Sequence, residues 1–272
     1  MKKDMKTANA FANSWNNLPG GSVYTWKQFE DWFNPLTKVN VEGKSVLELG
    51  CGNASLLVHI ANWNPSYIEG IDLGASVIAA EKNMAETGFK NYKITKADLT
   101  QYKNKSFDLV FSIGVLHHLK KPEEGFKAVI KNTKSGGHFH CWVYAYEGNG
   151  VIRLIVEPLR RIFSKFPWWF TKYFVATPAV IPFFLYAKFL KNFSKIKFFK
   201  RLPLYEYSLW ISQREFAFFR HVVFDQLLAP QTTFIDKITI KSWLNNYDNI
   251  QKDSQYIIMR NGNSWKFGGQ II

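Results

Sequence analysis

The run Val46-Leu47-Glu48-Leu49-Gly50-Cys51-Gly52 decides how the rest of this chain is interpreted. An apolar segment runs directly into a glycine-rich turn, which is typical of a buried strand that ends abruptly. Because glycine has no Cβ, its backbone turns sharply and allows a ligand to approach closely. Ligands of open α/β sheets bind outside the carboxyl ends of the strands. The run therefore predicts a binding site at the end of the first strand.

Outward from this run, short apolar segments alternate with segments of helical periodicity. The pattern predicts further strands at residues 67–71, 93–95, 107–113 and 138–144, with helices between them. Strands that alternate with helices in this way favour a parallel sheet with helices on both faces. A later strand is predicted at residues 256–259, after the alternation has broken off.

Three acidic residues stand at the ends of the first three predicted strands: Glu48, Asp72 and Asp98. A desolvated carboxylate is unfavourable without a partner, and a ligand rich in hydroxyl and amine groups supplies one. An acid after the second strand is placed to accept the hydroxyls of a ribose. The third suits an adenine amine. The alternative is that these acids cap helices or lie in solvated loops.

These segments resemble, in order and spacing, the motifs of class I S-adenosylmethionine-dependent methyltransferases of the small-molecule or lipid type. The resemblance covers about residues 44–145 and departs from the family at Ala54, where a third glycine is common. It implies an α/β fold, a Rossmann-like seven-stranded mostly parallel sheet with helices on both faces. The matching segments are the opening run, Gly70-Ile71-Asp72-Leu73, Lys96-Ala97-Asp98-Leu99, Phe107 to Ser112, Gly114 to Leu119 and Lys134-Ser135-Gly136-Gly137.

The resemblance also implies S-adenosyl-L-methionine as the cofactor and a role for each matched residue. Glu48 is expected near the methionine amino group, and two glycines are expected to let the backbone approach the cofactor. Asp72 is expected to bind the ribose, Asp98 the adenine amine, and Ser112 is expected to line the methionine side. No metal-ligand spacing is found. The expected cofactor residues are Glu48, Gly50, Gly52, Asp72, Leu73, Asp98, Leu99 and Ser112.

The acceptor of the methyl group is expected at the exits of strands four and five. His117 follows strand four and titrates near neutrality, so it is a candidate general base, although packing is the alternative role. Tyr144 closes strand five and is a candidate to orient an acceptor hydroxyl or amine, with a structural turn as the alternative. Strand four ends in Ser112-Ile113-Gly114 and lacks the Asp/Asn-Pro-Pro-aromatic motif, which argues against methylation of nucleobase or glutamine amino groups.

Residues 151–205 differ in composition from the rest of the chain. They hold eleven Lys and Arg residues against one acid, Glu157, and so supply ten of the fourteen net positive charges. Their longest apolar stretch, Phe174 to Leu190, is interrupted by Pro178 and Pro182. A membrane span needs roughly 20 mostly apolar residues. We therefore do not expect this stretch to cross a membrane.

Three interpretations of this helical, aromatic and basic insertion remain open. It is a substrate-covering lid with a solvated basic face, a lid that contacts an anionic membrane surface, or an RNA-binding segment in which bases stack on aromatic rings. The high apolar content makes nucleic acid the less favoured partner. A small-molecule or lipid-like acceptor is the expected substrate. A non-catalytic membrane-docking module that retains the cofactor fold is the alternative from another functional class.

The predicted organisation has four parts: an N-terminal helical cap at residues 1–40, the S-adenosylmethionine-binding core at 41–148, the helical insertion or lid at 149–235, and the C-terminal completion of the sheet at 236–272. No apolar signal-peptide core follows the charged N-terminus, so we expect a cytoplasmic protein, peripheral at the membrane if the insertion docks there.

Overall fold

The fold is described by a computed structural model that covers residues 5, 8–9, 24–103, 106–229 and 231–272. Most of the first half of the predicted N-terminal cap lies outside these residues. Seven strands form a single sheet in the order β3-β2-β1-β4-β5-β7-β6. The strands are β1 (Ser45–Leu49), β2 (Tyr67–Asp72), β3 (Tyr92–Lys96), β4 (Phe107–Ile113), β5 (Thr133–Tyr144), β6 (Tyr256–Arg260) and β7 (Ser264–Gln270).

All neighbouring strands run parallel except β7, which lies antiparallel between β5 and β6. This topology confirms the predicted Rossmann-like, mostly parallel sheet. The order of the strands reverses its direction at β1, where β2 lies on one side and β4 on the other. Crevices for ligands form at such a switch point. The opening run therefore ends where the fold provides room for a ligand.

Helices cover both faces of the sheet and fill most of the chain after β5. Short 3₁₀ turns occur at Lys38–Asn40, Leu116–His118, Lys197–Arg201 and Lys252–Ser254. The α-helices are α1 (Trp26–Phe33), α2 (Leu57–Ala61), α3 (Val77–Glu86), α4 (Pro122–Asn132), α5 (Glu157–Phe163), α6 (Trp168–Phe170), α7 (Thr177–Asn192), α8 (Tyr205–Ile211), α9 (Phe216–Leu228) and α10 (Lys237–Asn245).

The side chains of β1 alternate between two apolar cores, one on each face of the sheet. Leu47 and Leu49 pack into one core, whereas Val46 packs into the other with residues of α1 and α2. Because side chains of a strand point alternately to opposite faces, Glu48 shares its face with Val46. The register of β1 thus fixes which face of the sheet holds this carboxylate.

Helix α1 covers the sheet on the Val46 side and begins at a capping box. Gln28 N donates to Thr25 Oγ1 (3.4 Å), and Thr25 N donates to Gln28 Oε1 (3.0 Å). Asp31 on the same helix forms an ion pair with Arg260 at the end of β6. These contacts hold the described part of the predicted cap against the sheet.

The insertion after β5 contains one long helix, Trp168–Asn192, made of α6, a π-helical turn at Thr171–Ala176, and α7. It runs through Pro178 and Pro182 without a break, so the predicted interruption is wrong. Proline lacks an N–H group, and a π turn next to it changes which carbonyls need a donor. Thr177 Oγ1 donates to Lys172 O (2.9 Å), which also accepts from the Thr177 backbone N–H at the end of the π turn.

By length and composition this helix could cross a membrane, since it has 25 residues and its most apolar window has a mean hydropathy of 1.5. Only 22% of that window is buried inside the protein. The core helix of a soluble protein is mostly buried, so the exposure of this apolar helix requires an explanation.

Candidate active site

A single cavity of about 820 Å³ extends from the carboxyl ends of β1, β2 and β4 to the helical insertion. Pockets for cofactors and drug-sized ligands span about 300–1,000 Å³. One end is lined by the glycine turn and the acids predicted from the sequence. The other end is lined by residues of α5, α7, α8 and α9. The predicted cofactor residues on its wall are Glu48, Gly50, Gly52, Asp72, Leu73, Asp98 and Leu99.

The turn after β1 depends on the two glycines. Gly50 and Gly52 have φ angles of +86° and +53°, in the region that side chains with a Cβ rarely adopt. A Cβ on Gly50 would lie 2.4 Å from Cγ2 of Val115, so the turn also needs the space that glycine leaves. The backbone here can approach a ligand because no side chain intervenes.

Asp72 fixes the shape of this turn from the end of β2. Its Oδ2 accepts a hydrogen bond from Gly52 N (3.0 Å), and its Oδ1 accepts from Gly74 N (2.8 Å) and Ser76 Oγ (2.9 Å). The carboxylate therefore both lines the cavity and orders its wall. Its predicted ribose contact stays a prediction.

Glu48 is 2% exposed and, within the described part of the chain, its Oε2 atom has no hydrogen-bond partner. Burial, and next the nearby Asp72 carboxylate, raise the pKa of Glu48 well above its ordinary value. A buried carboxylate oxygen on the cavity wall without a partner suits a cationic ligand group. An ammonium group has the charge and the donors that this position requires.

The remaining predicted cofactor residues divide into two groups. Asp98 Oδ1 accepts from Thr100 N (2.9 Å) and from Thr100 Oγ1 (2.7 Å), which orders the loop after β3 at the cavity wall. Leu73 and Leu99 add apolar surface there. Ser112 is fully buried away from the cavity, and its hydroxyl donates to Leu49 O (2.8 Å). Its expected position on the methionine side is therefore corrected: it joins β4 to β1.

The structure separates the two histidines that follow β4. His117 is fully buried behind the cavity wall, with its ring centroid 4.2 Å from that of Tyr144. Burial lowers the pKa of His117 well below its ordinary value. His118, not His117, lines the cavity, which corrects the predicted position of the candidate base.

His118 has a defined tautomer. Its Nδ1 lies 3.0 Å from the carbonyl oxygen of Gln231, which can only accept, so Nδ1 carries the proton. Nε2 is then the acceptor nitrogen of the neutral ring. Burial lowers the pKa of His118 to about 4, so the ring is neutral at physiological pH.

Tyr144 lies on the cavity wall as predicted, and it belongs to a chain of polar contacts that the sequence did not reveal. Gln226 Nε2 on α9 donates to the Tyr144 hydroxyl (2.7 Å), and Gln226 Oε1 accepts from Arg160 Nη2 (2.7 Å). Burial raises the pKa of Tyr144 to about 12, so the phenol keeps its proton. Gln226 lies 66 positions after Arg160 and 82 positions after Tyr144, so no local sequence pattern connects them.

Comparisons with known proteins agree with this geometry. A family model described as a methyltransferase domain matches residues 40–146. Residues 40–146 are a methyltransferase domain. The match contains the glycine turn, the three acids and Tyr144. This chain therefore carries the class I S-adenosylmethionine-dependent domain that its motifs resemble.

Relatives of the methyltransferase domain differ in the acceptors that their names indicate. The tRNA U34 carboxymethyltransferase of Nautilia profundicola is 27% identical over 132 residues, which are 47% of this chain and 44% of that protein. The ubiquinone biosynthesis O-methyltransferase of Pseudomonas fluorescens is 30% identical over 130 residues, 42% of this chain and 56% of that protein. The chain thus spans about half of the length of these curated relatives.

One solved structure shares the fold over most of the chain. The O-methyltransferase family protein of Burkholderia thailandensis has a TM-score of 0.53 and 10% identity, and the match covers 90% of this chain and 55% of that protein. At this identity the likeness concerns the fold alone. By the lining of the cavity, one end belongs to residues 40–146 and the other end to the helical insertion.

The residues of the methyltransferase domain fit S-adenosylmethionine by three observations. The carboxylate oxygen of Glu48 without a partner suits the methionine ammonium. Gly52 leaves open space on the cavity wall, because a Cβ there would meet no atom within 4 Å. The carboxylates of Asp72 and Asp98 stand at the ends of adjacent strands, where hydroxyl and amine groups of a nucleoside supply donors.

Proposed function

We propose that this protein transfers the methyl group of S-adenosylmethionine to the oxygen or nitrogen of a small-molecule or lipid-like acceptor. The observation that carries this proposal is the single cavity that joins the glycine turn to the aromatic wall of the insertion. A shared cavity lets the methyl donor and the acceptor meet in one enclosed space. Such enclosure aligns the reacting atoms, which is the main demand of methyl transfer.

The cofactor supplies a methyl group on a positively charged sulfur, so the methyl group needs no activation by the protein. The chain must position the acceptor and receive its proton. His118 Nε2 is the acceptor nitrogen of a neutral ring on the cavity wall, and it is our candidate for this proton. Tyr144 keeps its proton and is our candidate to orient the acceptor by hydrogen bonding.

Calorimetry with two ligands tests the cofactor site. S-adenosylhomocysteine carries the amino acid part of the cofactor, whereas methylthioadenosine lacks it. Glu48→Gln should weaken S-adenosylhomocysteine about tenfold or more, since a charge-assisted hydrogen bond is lost, and should leave methylthioadenosine unchanged. Asp72→Ala should weaken both ligands, because Asp72 also orders the turn.

Glu86→Gln, at an exposed position of α3, is the matched control and should change neither affinity. Absence of S-adenosylhomocysteine binding to the unmodified protein would reject the proposed function. Equal weakening of both ligands by Glu48→Gln would reject the assignment of Glu48 to the ammonium group.

We further propose that the insertion docks on an anionic lipid surface, which makes the protein peripheral at the cytoplasmic side of a membrane. Helix α7 has one face packed inward, with Val180 and Ala187 fully buried. Its opposite face presents Ile181, Leu185 and Phe189, which are 50%, 61% and 44% exposed. Their spacing of four residues forms a continuous apolar stripe on the outside.

Basic residues stand beside this stripe and complement anionic head groups. Lys191 is exposed in the last turn of α7. Within the next ten residues come four more exposed basic residues: Lys195, Lys197, Lys200 and Arg201. Basic residues near a membrane surface add about 1 kcal/mol each to the attraction of anionic lipids. Since the inward face of α7 also lines the cavity, we favour a helix that lies in the lipid interface over one that crosses the bilayer.

Co-sedimentation with phosphatidylcholine vesicles that contain phosphatidylglycerol tests this docking. Leu185→Asp should weaken the partition about tenfold, because a charge replaces an apolar side chain that would enter the interface. Ile238→Asp on α10 is the control, since Ile238 is 79% exposed on a different part of the surface. Equal pelleting of both variants, or no pelleting of the unmodified protein at low salt, would reject the docking.

RNA methylation is the second candidate function, favoured by the same exposed basic residues and by the tRNA-modifying relatives. It predicts binding of tRNA that weakens steeply with salt. A screen of cofactor consumption with lipid extracts, small metabolites and RNA separates the candidates. Docking on vesicles without cofactor binding would instead support a non-catalytic module.

A further inference from the structure

Arg160 on α5 is a buried cation on the wall of the cavity. Arg160 is 2% exposed and lies at the end of the cavity that the insertion forms. Gln226 on α9 holds the guanidinium at two points: Nε donates to the Gln226 carbonyl oxygen (2.5 Å) and Nη2 donates to Gln226 Oε1 (2.7 Å). The plane of the guanidinium is therefore fixed.

In the part of the chain that the structure describes, the third nitrogen of this guanidinium has no acceptor. Within residues 24–103, 106–229 and 231–272, Arg160 Nη1 is buried without a hydrogen-bond partner. No carboxylate in these ranges forms an ion pair with Arg160. Glu157 pairs with the neighbouring Arg161 (2.9 Å), and Asp225 on the cavity wall pairs with His221 (3.1 Å).

An unpaired charge in a buried position is unfavourable. Burial lowers the pKa of Arg160, an effect that Tyr144 and Glu157 oppose, and arginine nonetheless stays protonated in proteins. An anionic ligand group beside Nη1 would remove this penalty and complete the hydrogen bonds of the guanidinium.

Tyr144 supplies a second donor on the same wall. Its hydroxyl oxygen accepts from Gln226 Nε2 (2.7 Å), so its own hydrogen is directed elsewhere. The side-chain amide of Gln226 thus orients two donors: the guanidinium of Arg160, with its Nη1 N–H groups, and the hydroxyl of Tyr144. Two oriented donors suit the oxygens of a carboxylate or a phosphate.

The rest of this end of the cavity is apolar and aromatic. Its lining includes Phe183, Tyr207, Trp210, Phe218 and Val222. Arg260 also lines it, but this second guanidinium is paired with Asp31. A ligand that fills this space needs an apolar body and one anionic group.

We propose that Arg160 and Tyr144 form a subsite for the anionic group, a carboxylate or a phosphate, of an amphiphilic acceptor whose apolar body lies against the aromatic wall. That this ligand is the methyl acceptor rests on the proposed function, whereas the predicted binding itself does not require catalysis. It narrows the acceptor class from any small or lipid-like molecule to an anionic amphiphile.

Calorimetry with decanoate, decyl phosphate and decanol, each below its micelle-forming concentration, tests the subsite. The unmodified protein should bind at least one of the two anions about tenfold or more tightly than decanol, as a charge-assisted hydrogen bond predicts. Arg160→Gln should remove this preference. Arg161→Gln, which changes an exposed arginine one position away, should keep it.

Each result has one meaning. A preference for decanoate alone or decyl phosphate alone supports the subsite and identifies its anionic group. Equal affinity for decanol and both anions in the unmodified protein overturns it without any variant, as does a preference that survives Arg160→Gln. S-adenosylhomocysteine is titrated in parallel: if it fails to bind while the preference for anions holds, the proposed function fails and the subsite stands.

Discussion

Replacement of Gly50 by alanine tests the glycine turn that holds the cofactor end of the cavity. The new Cβ would lie 2.4 Å and 2.6 Å from the two Cγ atoms of Val115, far inside contact distance. The backbone at Gly50 has a φ angle of +86°, which a residue with a Cβ adopts only with strain. Two separate penalties therefore act on Gly50→Ala.

Their sizes follow from general values. The left-handed backbone costs roughly 1–2 kcal/mol, and overpacking of a well-packed site costs roughly 1–3 kcal/mol. We expect Gly50→Ala to lower the free energy of unfolding by about 2–5 kcal/mol. Urea denaturation followed by circular dichroism measures this change, and calorimetry with S-adenosylhomocysteine measures the accompanying loss of affinity.

Two further variants separate the penalties. Gly43 has a φ angle of +68°, and a Cβ there would meet no atom within 4 Å, so Gly43→Ala should show the backbone penalty alone. Adding Val115→Ala to Gly50→Ala removes both Cγ atoms. The double variant should therefore recover the part of the free energy of unfolding that is lost to overpacking. If Gly50→Ala costs no more than Gly43→Ala, or if Val115→Ala recovers nothing, the steric reasoning is refuted.

Two predictions concern polar contacts elsewhere. Burial alone would raise the pKa of Asp108, but hydrogen bonds from Lys134 and Ser45 outweigh it and lower the pKa to about 2. Asp108→Asn should therefore lower the free energy of unfolding near neutral pH. In urea titrations, the gap between this variant and the unmodified protein should shrink as the pH falls from about 4 towards 2. A gap that stays constant over this range would contradict the ion pair. Tyr144→Phe leaves Gln226 Nε2 without its acceptor and should cost about 1–3 kcal/mol in the same assay, whereas no loss would show that this contact does not stabilise the fold.

The strands that bear the cofactor end were predictable because their pattern is local. The apolar run before Gly50 and the acids after β2 and β3 each depend on residues that adjoin in sequence. Parallel strands then bring their carboxyl ends to one edge of the sheet, so local signals suffice to place Gly50, Asp72 and Asp98 on one cavity. Which residues contact the cofactor remains a prediction.

Strand β7 shows where local signals mislead. Its Gly268 and Gly269 weaken any sequence-based prediction of a strand, since glycine is depleted in strands. The structure explains Gly268, because a Cβ there would lie 2.3 Å from Phe139 O and from the Tyr256 hydroxyl. Close packing between β5 and β6 selects glycine against its strand propensity.

The sequence by itself determined the fold class, the glycine turn and the acids at the strand ends, since periodicity and turn chemistry are properties of neighbouring residues. Only the tertiary structure decided that His118 rather than His117 faces the cavity, and that Arg160 and Gln226 meet Tyr144 there. The packing of the insertion over the sheet brings these distant residues together. No pattern among neighbouring residues in the sequence predicts that packing.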